Sequence, residues 1–244
     1  MSSLLDESRI FGQQKEAYVR GMFARVASRY DLLNSLLSLR VHHRWRDIAA
    51  RELALQPGAC ALDVCTGTAD LAIRMAREVG QTGRVIGVDF CRPMLQIGQR
   101  KTQRHPNAGR ITLVLGDALQ LPFASNCFQG VAVAFGIRNV VDIRQAFAEM
   151  WRVLKPGGRL VCLEFSHPRR QPFRTLYAFY FHRLLPCIGG LLSHRDAYTY
   201  LPESVRRFPE RERLAQIMQE VGFIRVSWRE LTFGIVCVHS GVKP

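Results

Sequence analysis

Three short apolar runs in this sequence each end in an acid that is placed to hold a ligand. The first, Leu62-Asp-Val-Cys-Thr-Gly-Thr-Ala-Asp-Leu71, reads as a strand, a tight turn around Gly67 and the start of a helix. Glycine lets the backbone pass close to a bound molecule, and the free N–H groups of a helix start can hold a carboxylate. Asp63 and Thr68 flank that turn. The second run, Arg84-Val-Ile-Gly-Val-Asp89, sets Asp89 about twenty residues beyond the glycine, where a carboxylate can accept both hydroxyls of a ribose. It could instead cap the helix that Pro93 begins. The third run leads into Gly116-Asp-Ala118. Asp117 can take the amino group of adenine while Ala118 and its apolar neighbours cover the ring, or it can be a turn aspartate. Together the three strand ends point to a nucleoside-type ligand, and the missing GxGxxG spacing disfavours a dinucleotide.

A fourth run ends in Phe135-Gly-Ile-Arg-Asn139. Arg138 keeps its proton at neutral pH, yet it can hold an anion or orient a water, and the Asn139 amide can bind a polar group. The alternative for Arg138 is a buried pair with Glu164 or Asp142. Tyr30 is a weaker candidate, lying over the pocket or simply packing. His43, His167 and His182 are conceivable bases that read more readily as structural or interfacial.

These groups need a scaffold, and the pattern supplies one. Helical spacing marks 13–27, 31–38 and 41–53, a helical prelude over residues 1–59. Strands follow at 60–64, 84–89, 111–115, 129–134 and 159–164, with helices at 69–80, 93–105 and 142–154 between them. Alternating short strands and helices are the mark of a parallel α/β sheet. After a Pro- and Arg-rich excursion (166–209), a helix at 210–221 and strands at 223–230 and 233–240 close a single domain of 244 residues.

The formal charge of +14 draws a protein toward polyanions, nucleic acid or an anionic lipid surface. From Ser166 to Arg213 there are nine arginines against four acids, mixed with the run Leu176-Tyr-Ala-Phe-Tyr-Phe-His-Arg-Leu-Leu185. That mixture suits a lipid interface as well as RNA, and the apolar run could equally be a core or dimer helix. Seven cysteines at scattered positions, with no CxxC pair and no zinc spacing, read as reduced thiols, and no metal site is expected. No stretch is long and apolar enough to span a membrane and the first residues are too polar for a signal peptide, so a cytoplasmic protein is expected.

The chain resembles the ubiquinone/menaquinone biosynthesis C-methyltransferases, also called demethylmenaquinone methyltransferases. The resemblance rests on Met22-Phe23, Arg29-Tyr-Asp-Leu-Leu-Asn34, His43-Arg-Trp45, the Asp63 to Leu71 loop, Phe135-Gly-Ile-Arg-Asn139, Arg152-Val-Leu-Lys-Pro-Gly-Gly-Arg159, Leu163-Glu-Phe-Ser166 and Tyr198-Thr-Tyr-Leu-Pro-Glu-Ser204. The glycine loop and the Lys-Pro-Gly-Gly turn are general to class I methyltransferases, whereas FGxRN and YxYLxxS are specific to this family. The chain departs from it at Ala134, where some members carry serine, and at Cys65-Thr66-Gly67, where a double glycine is usual.

The resemblance implies a class I Rossmann-like fold: a seven-stranded, mostly parallel sheet with helices on both faces, an N-terminal prelude and a substrate-side insertion. It implies S-adenosylmethionine as cofactor, bound by Thr68, Asp89, Asp117, Ala118, Asp63 and Gly67, with Arg138, Asn139 and Tyr30 on the catalytic side. The implied reaction methylates a ring carbon of a reduced, prenylated quinol, by in-line attack of a ring made nucleophilic when its hydroxyl ionises. Acceptor specificity and contact with the inner face of an anionic membrane are expected of 171–200, and a homodimer stays open. The rival expectation is RNA methylation or nucleic-acid binding. Against it, no cysteine nucleophile or Pro-Pro-aromatic follows the fourth strand, and no RNA-binding module is visible.

Overall fold

Residues 2–169, 171–179 and 195–244 are described by the computed structural model of this chain. The run at 180–194 that carries Phe181 and His182 lies outside them.

The sheet follows from where apolar runs stop. Strands β1 (Cys60–Val64), β2 (Arg84–Asp89) and β3 (Ile111–Leu115) begin and end where expected. Strands β4 (Phe128–Ala134), β5 (Leu154–Phe165), β6 (Ile224–Leu231) and β7 (Val236–Val242) complete a seven-stranded sheet in the order β3-β2-β1-β4-β5-β7-β6. The first five strands run parallel and the last two are antiparallel additions. Parallel strands covered on both faces have no solvated side, which is why β1 and β4 are nearly continuous runs of buried Ala, Leu and Val.

One face carries α3 (Val41–Glu52) and α4 (Asp70–Glu78), whose Trp45, Ala49, Leu53, Leu71 and Met75 pack with Val85, Val161 and Leu163. The helix α5 (Arg92–Gln103) follows β2 and opens with the expected proline in its first turn. The opposite face carries α6 (Ile143–Val153) and α9 (Arg211–Val221), with Phe147, Met150, Leu214 and Met218 packed on Phe128, Val131 and Leu160. Strand order reverses between β1 and β4, and the carboxyl ends there form the crevice in which open α/β sheets hold ligands.

The prelude is α1 (Ser2–Val26), α2 (Tyr30–Leu37) and α3. The insertion contributes α7 (Phe173–Phe179) and α8 (Arg195–Arg207), and Tyr200 of α8 meets Tyr18 of α1 with ring centroids 6.0 Å apart. The expected turn at 155–158 differs from observation: β5 starts at Leu154, five residues early. The Lys-Pro-Gly-Gly segment is drawn into the sheet because Gly157 N–H donates to Lys243 O and Lys243 N–H to Gly158 O, each at 2.9 Å. Pairing with the chain's last residues is a long-range effect that local turn chemistry does not register. Among the described residues no helix is long and apolar enough to cross a membrane.

Candidate active site

Two clefts adjoin at the carboxyl edge of the sheet. The first, about 950 Å³, runs along the ends of β1, β2 and β3 and is lined by the glycine loop, Asp89, Met94, Asp117, Ala118 and Asn139. The second, about 1410 Å³, lies under the prelude and the insertion, with Arg138, Tyr177 and Tyr200 in its walls. Phe23, Tyr30, Arg46 and Phe135 line both, so these four side chains form the boundary.

The loop of the first cleft is held from below by Asp63. Its Oδ2 accepts the Thr66 hydroxyl at 2.6 Å and the Ala72 N–H at 3.0 Å, and the residue is 1 % exposed. Burial pushes this carboxyl up to about 7. Asp63 therefore shapes the turn and the start of α4, as a strut under the ligand cleft. Gly67 has φ +55, and its N–H donates to Asp89 Oδ2 at 2.8 Å while the Cys91 N–H donates to Oδ1 at 2.8 Å. Burial pushes Asp89 up to about 6. Asp117 sits at a turn, accepting the Leu119 N–H at 2.9 Å, and still lines the cleft beside Ala118.

Thr68 reaches toward the prelude. Its hydroxyl donates to Asp31 Oδ1 at 2.5 Å, and Lys101 Nζ donates to Asp31 at 2.7 Å, Asp70 at 2.8 Å and Thr68 at 3.2 Å. This network fastens α2 onto the glycine loop. Burial pushes the Asp70 carboxyl up, but Arg46, Lys101 and Arg74 outweigh it and hold the group below the carboxylate range. His42, His43 and Asp70 bring possible ligand atoms within 4.8 Å of one another. The arginines and lysine on them make the cluster a charge network, hostile to a cation: Arg46 on His42, Arg74 on His43, and Lys101 on Asp70.

Phe135 sits between the clefts in a left-handed conformation (φ 58), followed by a glycine that geometry requires. A Cβ on Gly136 would stand 2.4 Å from Cys65 Cβ, because β4 passes directly over the β1 loop. The turn aims the Phe135 ring at Trp45 (centroids 6.1 Å) and Phe165 (5.0 Å). Its carbonyl accepts from the Arg138 guanidinium. Arg138 also donates to Glu164 Oε1 at 2.8 Å, with the two side chains 7 % and 1 % exposed. The pairing with Glu164 weighed from sequence is thus present, and Arg138 still lines the second cleft. Asp142 instead caps α6, accepting the Gln145 N–H at 3.0 Å. Asn139 faces the first cleft, and its buried Oδ1 has no partner among the described residues.

The second cleft is apolar along most of its length, through Met22, Val26, Leu33, Leu37, Leu201 and Ile235. Its charged groups among the described residues are Arg46 and Arg138, with no acid. The histidine in its wall is His42, which burial, with Arg46 and His43, pushes down to about 3. His43 is held by Arg74 and His167 lies in neither lining. Sequence reasoning missed Asp31, His42, Arg46, Lys101 and Tyr200. Arg46 had a signal, since it shares a helical stripe with His42, Ala49, Ala50 and Leu53.

The ubiE/COQ5 methyltransferase family profile matches residues 12–243. The ubiquinone/menaquinone biosynthesis C-methyltransferase UbiE of Geobacter sulfurreducens is 46 % identical over 230 residues, covering 94 % of this chain and 90 % of that one. The demethylmenaquinone methyltransferase of Geobacillus kaustophilus is 44 % identical over 232 residues, covering 95 % and 99 %. Among solved structures, the [4+2]-cyclase SpnF superposes with a TM-score of 0.69 at 16 % identity over 93 % of this chain and 95 % of its own. A SAM-dependent methyltransferase from Aquifex aeolicus gives 0.59 at 18 % over 81 % and 88 %. At such identities the structural likeness speaks for the fold alone, which is the class I arrangement expected. The sequence match reaches further, because it spans the loop, Arg46, Arg138 and the insertion: this chain belongs to the ubiE/COQ5 methyltransferase family.

Proposed function

We propose that this chain is an S-adenosylmethionine-dependent C-methyltransferase acting on a ring carbon of a prenylated quinol in isoprenoid quinone biosynthesis. The observation that carries the reading is the pair of clefts meeting at Phe135: one acid-rich and nucleoside-sized, the other larger, apolar and acid-free.

The first cleft fits S-adenosylmethionine in its own chemistry. Asp89 offers a buried carboxylate for ribose hydroxyls, Phe90, Met94, Ala118 and Leu119 give apolar surface for a purine, and the orphaned Asn139 Oδ1 can accept a donor. Thr68 and Gly67 shape the loop that takes the methionine end. When bound, this cofactor supplies an electrophilic methyl group on a sulfonium. The acids of the cleft favour that positive charge, and Phe135 and Tyr30 form the boundary across which the acceptor ring meets it.

On the acceptor side Arg138, held by Glu164 and the Phe135 carbonyl, can orient a ring oxygen or a water. The buried Tyr200 hydroxyl, without a hydrogen-bond partner among the described residues, gives the ring a second polar contact. The leucines of α2 and α8 supply an apolar channel for a tail. The ring proton released after methylation goes to water, since His42 is too weak a base at about 3.

The membrane contact expected of 171–200 falls largely outside the described residues, as do Phe181 and the side chain of Phe179. A second surface supports the same reading. Leu32 (69 % exposed), Leu36 (50 %) and Leu39 (83 %) share the outer face of α2 and its end, with exposed Arg40 and Arg44 beside them, and Leu39 also lines the second cleft. Apolar residues ringed by arginine suit the anionic inner leaflet, and an opening there would admit a lipid-borne tail directly. A nucleic-acid acceptor has no support in the family, and an acid-free apolar cleft suits one small ring and its tail.

The test is methyl transfer from labelled S-adenosylmethionine to short-chain demethylmenaquinol and to the matching benzoquinol. Label in either ring is the expected result; methylation of neither overturns the reading.

A further inference from the structure

Arg46 is a buried cation that makes no direct ion pair among the described residues, although the Asp70 and Asp63 carboxyls feel its charge from farther off. Its side chain lies at the boundary of the two clefts, and the residue is 5 % exposed. Its hydrogen bonds among the described residues run through one nitrogen to the His42 ring and carbonyl, both uncharged, and its guanidinium stands over the Phe135 ring at 5.0 Å. Arg138 differs sharply, because Glu164 cancels its charge. The direct contacts of the nearby acids go elsewhere, Asp63 to Thr66 and Ala72 and Asp70 to Lys101 and Arg74, so they offset Arg46 only through space. A charge taken out of water with no partner is costly to hold, and such a cation aimed into a cavity is matched to an anion that arrives there.

We propose that Arg46 is the oxyanion-binding residue of the acceptor site, holding the ionised ring oxygen of the quinol. The inference rests on the quinol reading above. The quinol O–H bond breaks with its electron pair left on the oxygen facing Arg46, and the proton goes to water. The neighbouring ring carbon then forms the new C–C bond as the S–C bond breaks with its pair on sulfur. Loss of the ring C–H proton to water restores aromaticity and leaves the oxygen ionised again; it takes one proton back from water, so the sum is methylated quinol, S-adenosylhomocysteine and one proton.

The groups that face Arg46 are His42 and His43 on α3, Asp63 at the end of β1, and Asp70 and Arg74 on α4. Across the acceptor cleft lie the Tyr30, Tyr177 and Tyr200 phenols and the Arg138–Glu164 pair. None of the groups lining the acceptor side is an acid; Asp63 and Asp70 face Arg46 from the cofactor side. A phenol titrates near 10 in water, and a unit charge close by lowers such a group by about 1–3 units. At pH 7.5 that raises the reactive phenolate roughly 10- to 200-fold.

Arg46→Gln and Arg46→Lys should be compared with the wild type for S-adenosylmethionine affinity by calorimetry and for kcat and KM of short-chain demethylmenaquinol from pH 6 to 10. Arg46→Gln should bind the cofactor within about threefold of wild type, lose roughly 10- to 200-fold in kcat at pH 7.5, and recover toward pH 10 as its rising limb moves at least one unit alkaline. Arg46→Lys should keep the wild-type limb. In the wild type itself, a bound nitronaphthol chromophore should ionise at least one unit below its value in water, a measurement that needs no variant to fold. Unchanged kcat and pH limb in Arg46→Gln, or an unshifted chromophore, overturns the proposal. So does a loss confined to cofactor affinity, which would give the cation to the methionine carboxylate. Failure of the wild type to methylate any quinol would instead overturn the functional reading beneath it.

Discussion

Asp89 gives the sharpest test of the cofactor cleft. Each of its oxygens already takes one backbone N–H, from Gly67 and Cys91, both at 2.8 Å, and burial pushes the carboxyl up to about 6. Ribose hydroxyls donate to the ionised form, so binding must pull that value down, and affinity must fall as pH drops through 6. One unit below, about a tenth of the groups remain charged, and the dissociation constant for S-adenosylmethionine should rise roughly tenfold between pH 7.5 and 5. Asp89→Asn removes the charge and puts an NH₂ where one of two N–H donors needs an acceptor. Losing charge-assisted bonds worth about 1.5–3 kcal/mol predicts a 10- to 150-fold weaker complex at pH 7.5. The variant's affinity should also be flat with pH. Calorimetric titrations of both proteins at pH 5, 6 and 7.5 decide the matter. A wild-type affinity independent of pH, or an Asp89→Asn variant within threefold at pH 7.5, would show that this carboxylate does not meet the ribose.

Three further outcomes follow from groups around the site. Glu164→Gln leaves Arg138 buried without its counter-charge, so it should lower stability by about 3–5 kcal/mol and the melting temperature by roughly 10 °C; a shift under 2 °C in a thermal melt would refute the pair's importance. Asp63, raised to about 7 against an ordinary 3.8, contributes stability that is full below pH 4 and lost as pH rises through 7. Asp63→Asn cannot ionise, so its stability relative to wild type in urea should improve by about 2–4 kcal/mol from pH 5 to pH 8, and parallel curves would contradict the assignment. Leu36→Asp with Leu39→Asp should reduce cosedimentation with anionic vesicles severalfold and raise KM for a long-tailed quinol while sparing a short-chain one; binding equal to wild type would remove α2 from the membrane contact.

The sheet was readable because its central strands are buried on both faces, and β1 and β2 stop at or beside acids. Asp89 closes β2 and Pro93 opens α5, and each boundary is written in a single residue. What escaped was written across distance. Asp31 meets Thr68 from 37 positions away and Lys101 reaches both, yet none of the three has a local pattern to announce it. Arg44 and Arg46 look alike in a basic stretch, and only their phase on the helix separates an exposed side chain from a buried one. The Arg138–Glu164 pair was open in the sequence because FGxRN fixes the arginine's position after β4 while leaving its partner to the end of β5.

The two clefts carry opposite charge for a reason the reaction explains. Asp63, Asp89 and Asp117 line the cleft proposed for the sulfonium, Arg138 the one proposed for the phenolate, and Arg46 the boundary between them. Methyl transfer joins these charges and removes both, so a medium that solvates ions poorly favours the transition state over the separated pair. Phe23 and Phe135 supply that medium at the boundary, with Trp45 against Phe135, and Asp31 fastens α2 to the loop beside them. Each arginine then has a distinct task. Arg138, neutralised by Glu164, can orient the ring without attracting an anion, whereas Arg46 keeps its charge for the oxygen that must ionise. A cleft with both charges cancelled would bind the quinol and leave it unreactive; one with neither cancelled would hold any anion that entered.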